Sequence, residues 1–216
     1  GMVACAIDDE AQNHQLMLLH GAQGKGKSTF VRHLLPPELK DYYRNGMISP
    51  DNKDHLLQMS SCLLINLDEF DTLSPARMQE LKSLITQDVM NERKVYDIQN
   101  YTFIRRASFI ASTNNPHCLP DIGENRRILF NTLLEIDYHT PVNHQGIYAQ
   151  AYALYRQGFQ YWYENQEITF LNNRNEAFRQ KDPLEENLFF YFRPARPNDI
   201  QAKWYPASQL LSILSM

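Results

Sequence analysis

Apolar residues in the first two-thirds of the chain gather into short runs of strand length. Gln15–His20 (Q-L-M-L-L-H), Cys62–Leu67 (C-L-L-I-N-L), Ala107–Ser112 (A-S-F-I-A-S) and Ile128–Leu134 read as core strands. Between them the period changes. Ser28–Leu35 sets Val31, Leu34 and Leu35 on one helical face and stops at Pro36-Pro37. Ser74-Pro75 starts a second helix, with Met78, Leu81, Leu84 and Ile85 at helical spacing. Val95–Ile104 alternates around a polar centre and predicts a hairpin. Residues 38–60 are polar and mixed and predict no element.

The last third is different. Tyr148, Tyr152, Tyr155, Phe159 and Trp162 form one stripe, which predicts a single helix packed on a core. Asp182-Pro183 opens a further helix running into Leu188–Phe192, and a short apolar helix follows Pro206. Strands interleaved with helices, then helices alone, predict an α/β sheet domain with a helical C-terminal region. The expected divisions are a core over 3–140, a helical extension over 141–182 and a C-terminal module over 183–216.

Composition narrows the chemistry. Lys plus Arg is 21 against 25 Asp plus Glu, a net charge of −4. This excludes a uniformly basic nucleic-acid coat, so any such contact must be local. Three separated cysteines, Cys5, Cys62 and Cys118, fit a reducing cytoplasm better than a disulfide framework. No apolar run reaches the ~18 residues of a membrane span, and no leader pattern is present. Gly1 before Met2 reads as a cloning remnant.

Only 8 of the 216 residues are glycine, yet Gly21, Gly24 and Gly26 fall within six positions. Gly21-Ala22-Gln23-Gly24-Lys25-Gly26-Lys27-Ser28 fits G-x-x-x-x-G-K-S/T, with an apolar strand before it and a helix after it. Bare backbone lets successive N–H groups turn toward a polyphosphate. Counting from Gly21 makes Lys27 the β/γ-phosphate lysine and Ser28 a Mg²⁺ ligand, with Lys25 and Thr29 as accessories. ATP and Mg²⁺ are the expected ligands.

Such a loop needs a carboxylate at the end of a neighbouring strand. Asp68, after the 62–67 run, is placed on Mg²⁺, and Glu69 beside it as the general base aimed at water. Asn66 interrupts that run and needs a partner if buried. Asn114, at the end of the third strand, is a candidate sensor of the γ-phosphate. Arg126 and Arg127, before the fourth strand, are candidates for an arginine finger reaching a neighbour's site.

These residues in this order resemble the virulence-associated protein E family. The likeness is carried by Arg105-Arg106-Ala107-Ser108-Phe109 through Asn114, Ile122-Gly123 with Arg126-Arg127, the run Gly146–Arg156, and Trp204–Ser208. The resemblance implies a P-loop NTPase core of AAA+ type, similar to superfamily 3 helicases and to the ATPase part of phage and mobile-element primase–helicases. It further implies a mainly parallel sheet, a homo-oligomeric ring acting on DNA in replication of a mobile element, and a winged-helix-like start from about residue 183. The family's Thr-Gly-x-Arg-Arg reads Ile-Gly-Glu-Asn-Arg-Arg here, which leaves open whether Arg126 or Arg127 acts in trans.

Arg93, Lys94, Arg105 and Arg106 face only Asp97 between positions 93 and 106, a local charge of +3. Beside Tyr96, Tyr101 and Phe103 they are candidates for single-stranded DNA contact. The resemblance also implies a DNA-tracking hairpin at this point. The leading reading is a DNA-translocating ATPase. The alternatives are a nucleotide-gated assembly module without motor activity and a P-loop kinase of a small molecule.

Overall fold

The computed structural model describes residues 1–68, 70–93, 100–119, 125–180, 183–196, 198–200 and 202–214. Seven strands are described: β1 Leu16–His20, β2 Tyr43–Asn45, β3 Leu64–Leu67, β4 Val89–Arg93, β5 Asn100–Ile104, β6 Ser108–Thr113 and β7 Ile128–Thr132. The helices are α1 Met2–Ile7, α2 Lys27–Arg32, α3 Lys53–Ser61, α4 Pro75–Thr86, α5 His144–Arg156, α6 Asn165–Glu176, α7 Pro183–Tyr191 and α8 Ala207–Leu214. The chain divides into two compact units, Gly1–Arg179 and Gln180–Met216.

The first unit is built on a five-stranded sheet in the order β2-β3-β6-β1-β7, with every pairing parallel. Leu16 and Leu18 of β1 are fully buried, and all four residues of β3, Leu64–Leu67, are buried, as expected of a strand covered on both faces. Leu56 and Met59 of α3, and Met78, Leu81 and Ile85 of α4, pack with Leu16, Leu18, Ile65 and Phe130. Val31 of α2, with Tyr148 of α5 beside it, packs instead with Leu19, Leu64 and Ile110. Helices therefore cover both faces of the sheet. The α4 start is as read from the sequence, with the Ser74 hydroxyl accepting from the Arg77 N–H at 3.3 Å and Pro75 in the first turn.

Four expectations need correction. Residues 38–60, unassigned in the sequence, hold edge strand β2 and helix α3. The α3 N-cap is Asn52, whose side chain accepts from the Asp54 and His55 N–H groups. The aromatic stripe is not one helix: α5 ends at Arg156, and Gly158 at φ +76° turns the chain out of it. Phe159 and Trp162, 57% and 47% exposed, lie beyond that turn rather than in the core. The hairpin begins earlier than Val95. Val89 of β4 stands opposite Ile104 of β5, and Arg93 opposite Asn100, while Lys94 and Tyr96 lie outside the described residues.

The fourth correction concerns the hairpin's cations. Arg105 is 3% exposed, and its guanidinium donates to the carbonyls of Gln87 (2.8 Å), Ala107 (2.7 Å) and Asn13 (3.0 Å). Asp88 stands 3.7 Å away. Arg105 thus fastens the hairpin's root to the start of the sheet and cannot reach DNA. Arg106 donates to the Cys5 carbonyl at 3.1 Å and pairs with Asp9, so it closes α1 onto the domain. Phe103 packs against the core rather than offering a stacking face.

In the second unit α7 and α8 pack together, with Phe192 edge-on to Tyr205 at 5.6 Å. Among the described residues no helix is long and apolar enough to cross a membrane.

Replacing Arg105 by Met strands three carbonyls that it now satisfies. Arg105→Met is expected to lower unfolding free energy by about 3 kcal/mol in a urea titration. A surface-like loss of under about 0.5 kcal/mol would contradict the burial of this side chain.

Candidate functional site

The glycine loop sits at the C-terminal end of β1, the middle of the three strands β6-β1-β7. The Gly21 N–H donates to the Thr113 carbonyl at 3.2 Å, which keeps β1 and β6 in register up to the loop. Gly24 and Gly26 have φ of +77° and +79°, left-handed backbone that disfavours a side chain. Gly26 caps α2, so the first N–H groups of that helix turn toward the loop.

Lys27 is 8% exposed, and its ammonium is solvated by the protein itself. Nζ donates to the carbonyls of Gly21 (2.6 Å) and Ala22 (3.0 Å) and to Asn114 Oδ1 (2.8 Å). Burial draws its pKa below the ordinary lysine value, and the Asp71 carboxylate works in the opposite direction. Lys27 and Asn114, 87 residues apart, therefore meet at one point. Ser28 is exposed at the start of α2; Lys25 is exposed on the loop, and Thr29 is half-buried one residue further into the helix.

Asp68 follows β3, one strand beyond β6, at the same edge of the sheet. Its carboxylate accepts from Asn45, and from Asn66 Nδ2 at 3.0 Å. Asn66, fully buried in β3, also donates to Asn45 Oδ1 at 2.6 Å, so its Nδ2 is satisfied while its buried Oδ1 has no hydrogen-bond partner among the described residues. Glu69 lies outside the described residues.

Sequence reasoning missed Asp71. A 3₁₀ turn at Phe70–Thr72, pinned by Phe70 at 1% exposure, carries the carboxylate to the end of β6. There it accepts from the Thr113 hydroxyl and from the Asn114 N–H at 3.0 Å, so it holds Asn114 in place under Lys27. The signal was the third acid of Asp68-Glu69-Phe70-Asp71, unread because no strand ends on it. Cys118, beside Thr113 and Asp71, has its thiol pushed up to about 11, mainly by burial, and is no nucleophile at neutral pH.

Arg126 and Arg127 are at the other end of the sheet, immediately before β7. β1 and β7 run parallel with Leu16 opposite Ile128 and His20 opposite Thr132. Five residues at about 3.3 Å each leave the arginines roughly 15 Å from the loop of the same chain. They stand on a turn closed by the Ile128 N–H to the Asn125 carbonyl (3.0 Å). Asn175 of α6 clamps this turn, donating to the carbonyls of Asn125 (2.8 Å) and Ile128 (2.9 Å). Both arginines line a cavity of about 430 Å³ shared with His14, Tyr161, Trp162 and Tyr163. The structure thus brings together Lys27, Asn114 and the unforeseen Asp71, with Asp68 on the same edge, and keeps Arg126 and Arg127 apart from them. Arg93 ends β4.

The fold and this edge define a parallel α/β domain with a glycine loop at the end of an interior strand. Residues 1–180 match the model of the virulence-associated protein E-like domain, and the chain belongs to that family. Three apo structures of the NrS-1 C-terminal region are similar to it at 15%, 16% and 16% identity, with TM-scores of 0.45, 0.47 and 0.44. Each likeness covers 82% of this chain but only 37%, 39% and 38% of the other, so the chain spans under two-fifths of their length. No curated protein matches it.

Asp71→Ala removes the acceptor for both the Thr113 hydroxyl and the Asn114 N–H. It is expected to cost about 1–2 kcal/mol in denaturant unfolding, and Asp71→Asn less. Equal losses for the two variants would show that the acceptor oxygen is not what matters.

Proposed function

We propose that this chain is the ATPase part of a replication protein of a phage or mobile element, hydrolysing ATP to ADP and phosphate in an oligomer that moves single-stranded DNA. The observation that carries the reading is the meeting of Lys27 with Asn114 under a glycine loop of the correct spacing. A buried ammonium that now leans on two carbonyls and one amide is a charge awaiting an anion. A polyphosphate gives it a better partner and releases Asn114 Oδ1 and Nδ2 for the γ-phosphate and the attacking water.

Asp68 and the Ser28 hydroxyl are hard oxygen donors that fit Mg²⁺. Mg²⁺ would neutralise charge on the β- and γ-phosphates. Glu69 takes the proton as water attacks the γ-phosphorus, and the bond to the bridging oxygen breaks toward ADP. Lys27 meets the charge that builds on the phosphates.

The distance from loop to arginines supports a second chain. Arg126 and Arg127 lie at the opposite end of the sheet from their own loop, so they do not form the closing-lid pair that a small-molecule kinase would need there. In a ring, the same arginines face a neighbour's site, where such a finger is worth about 10³ to 10⁵ in rate. For DNA, Arg93 at the end of β4 is the proposed hairpin cation among the described residues, and Lys94 and Tyr96 are proposed with it from the sequence alone.

Lys27→Ala is expected to abolish ATP binding and turnover, and Glu69→Gln to keep binding while turnover falls at least about 100-fold. Steady-state hydrolysis and equilibrium binding check both, and full turnover in either variant overturns the assignment. Mixing Lys27→Ala protein with the Arg126→Ala/Arg127→Ala double variant tests the neighbour. Each alone should be inactive, and the mixture should recover turnover at interfaces pairing an intact loop with intact arginines. A mixture as inactive as its parts would reject action in trans.

A further inference from the structure

The catalytic end of the loop points one way along the sheet. Lys27 leans toward Asn114 on β6, and Asp68 lies one strand further, on β3. A triphosphate laid with its γ-phosphate there carries its nucleoside toward the opposite neighbour of β1, which is β7. The chain leaving β7 runs across this side as a strap. The Leu133 N–H donates to the His20 carbonyl at 2.8 Å, and the Leu133 carbonyl would lie 3.1 Å from a Cβ on Gly21. Asp137 then folds the strap into a turn, accepting from the N–H groups of His139 (3.1 Å) and Thr140 (3.0 Å). Beyond it, His144 Nε2 bonds the His33 carbonyl at 2.7 Å, and the Tyr148 hydroxyl donates to the Leu34 carbonyl at 3.0 Å. The strap is thus fastened at both ends of the loop–α2 segment.

Tyr138 sits in the middle of the strap, against the loop. A Cβ on Gly26 would fall 2.1 Å from Tyr138 Cδ1 and 2.4 Å from Cε1, so the ring rests on the bare backbone next to Lys27. The His139 ring lies beside it, centroids 4.2 Å apart and planes 37° apart, and both side chains retain exposed surface. An aromatic step beside a phosphate loop, on the side away from the reacting phosphate, is a surface for a flat heterocycle.

We infer that Tyr138, supported by His139, is the base-stacking wall of the nucleotide site. The inference rests on the nucleotide reading above and deepens it: the loop holds the phosphates, and the strap holds the nucleoside.

Calorimetric binding of ATP and of inorganic tripolyphosphate, each with Mg²⁺, separates the two parts. Tyr138→Ala is expected to weaken ATP about tenfold, the equivalent of about 1.4 kcal/mol, and to leave tripolyphosphate within about twofold. Tyr138→Phe should match the wild type for both, because the ring and not the hydroxyl does the stacking. Equal losses for the two probes would mean that Tyr138 only shapes the loop, and no loss for either would mean that it touches neither; each overturns the inference. If Tyr138→Ala fails a thermal-unfolding control, Tyr138→Trp provides the reading. Its added emission should be quenched by ATP and not by tripolyphosphate, and quenching by neither overturns the inference. A wild type that binds neither probe overturns the nucleotide reading itself. A wild type that binds both, with Lys27→Ala blind to both, leaves that reading standing whatever Tyr138 does.

Discussion

A lysine with only 8% of its surface exposed must have its ammonium solvated by something, and here the protein supplies three oxygens. Two belong to the loop's own backbone, which requires the chain to curl around Nζ and therefore requires glycine at the left-handed positions. The third belongs to Asn114, which requires β6 to lie beside β1 and to end level with it. The parallel pairing of His20 with Thr113 provides that level end. Asp71 then fixes the amide from behind. Strand order, loop composition and the Phe70 anchor can each be traced to the solvation of one charge.

The same sheet keeps the arginine turn at a distance. In a parallel sheet all strands share a direction, so residues that precede one strand and residues that follow its neighbour fall at opposite edges. Arg126 and Arg127 precede β7, and Gly21 follows β1. No side-chain rotamer closes a gap of roughly 15 Å. Rebuilding the turn within one chain would require unpairing β7, and Asn175 holds it against that. The topology itself keeps the loop and the arginines of one chain at opposite ends of the sheet.

Much of this was legible in the sequence, for identifiable reasons. The core strands β1, β3, β6 and β7 announced themselves because burial in the sheet concentrates apolar residues into short runs of strand length. The loop stood out because glycine is scarce elsewhere in the chain. Strand β2 was hidden: an edge strand of three residues, Tyr43-Arg44-Asn45, carries no periodic signal. Helix α3 was hidden too, with only Leu56 and Met59 buried among nine residues. Asp71 and Tyr138 matter through neighbours 42 and 112 residues away in sequence, Thr113 and Gly26, and no local pattern encodes such meetings.

Arg105 shows how a charge count misleads. Four cations against one acid read as a surface patch, yet one of the four is among the most buried side chains of the hairpin's root. Its donors are used by carbonyls from Asn13, Gln87 and Ala107, three chain segments that only the finished fold assembles. The cost of desolvating a guanidinium is met there because an N–H fork can satisfy several carbonyls at once, which lysine's point charge does less well. Asp88, beside Arg105, also bonds His14 at 2.6 Å, and His14 lines the cavity that holds Arg126 and Arg127. The root of the hairpin and the wall of the arginine cavity are therefore one hydrogen-bonded piece.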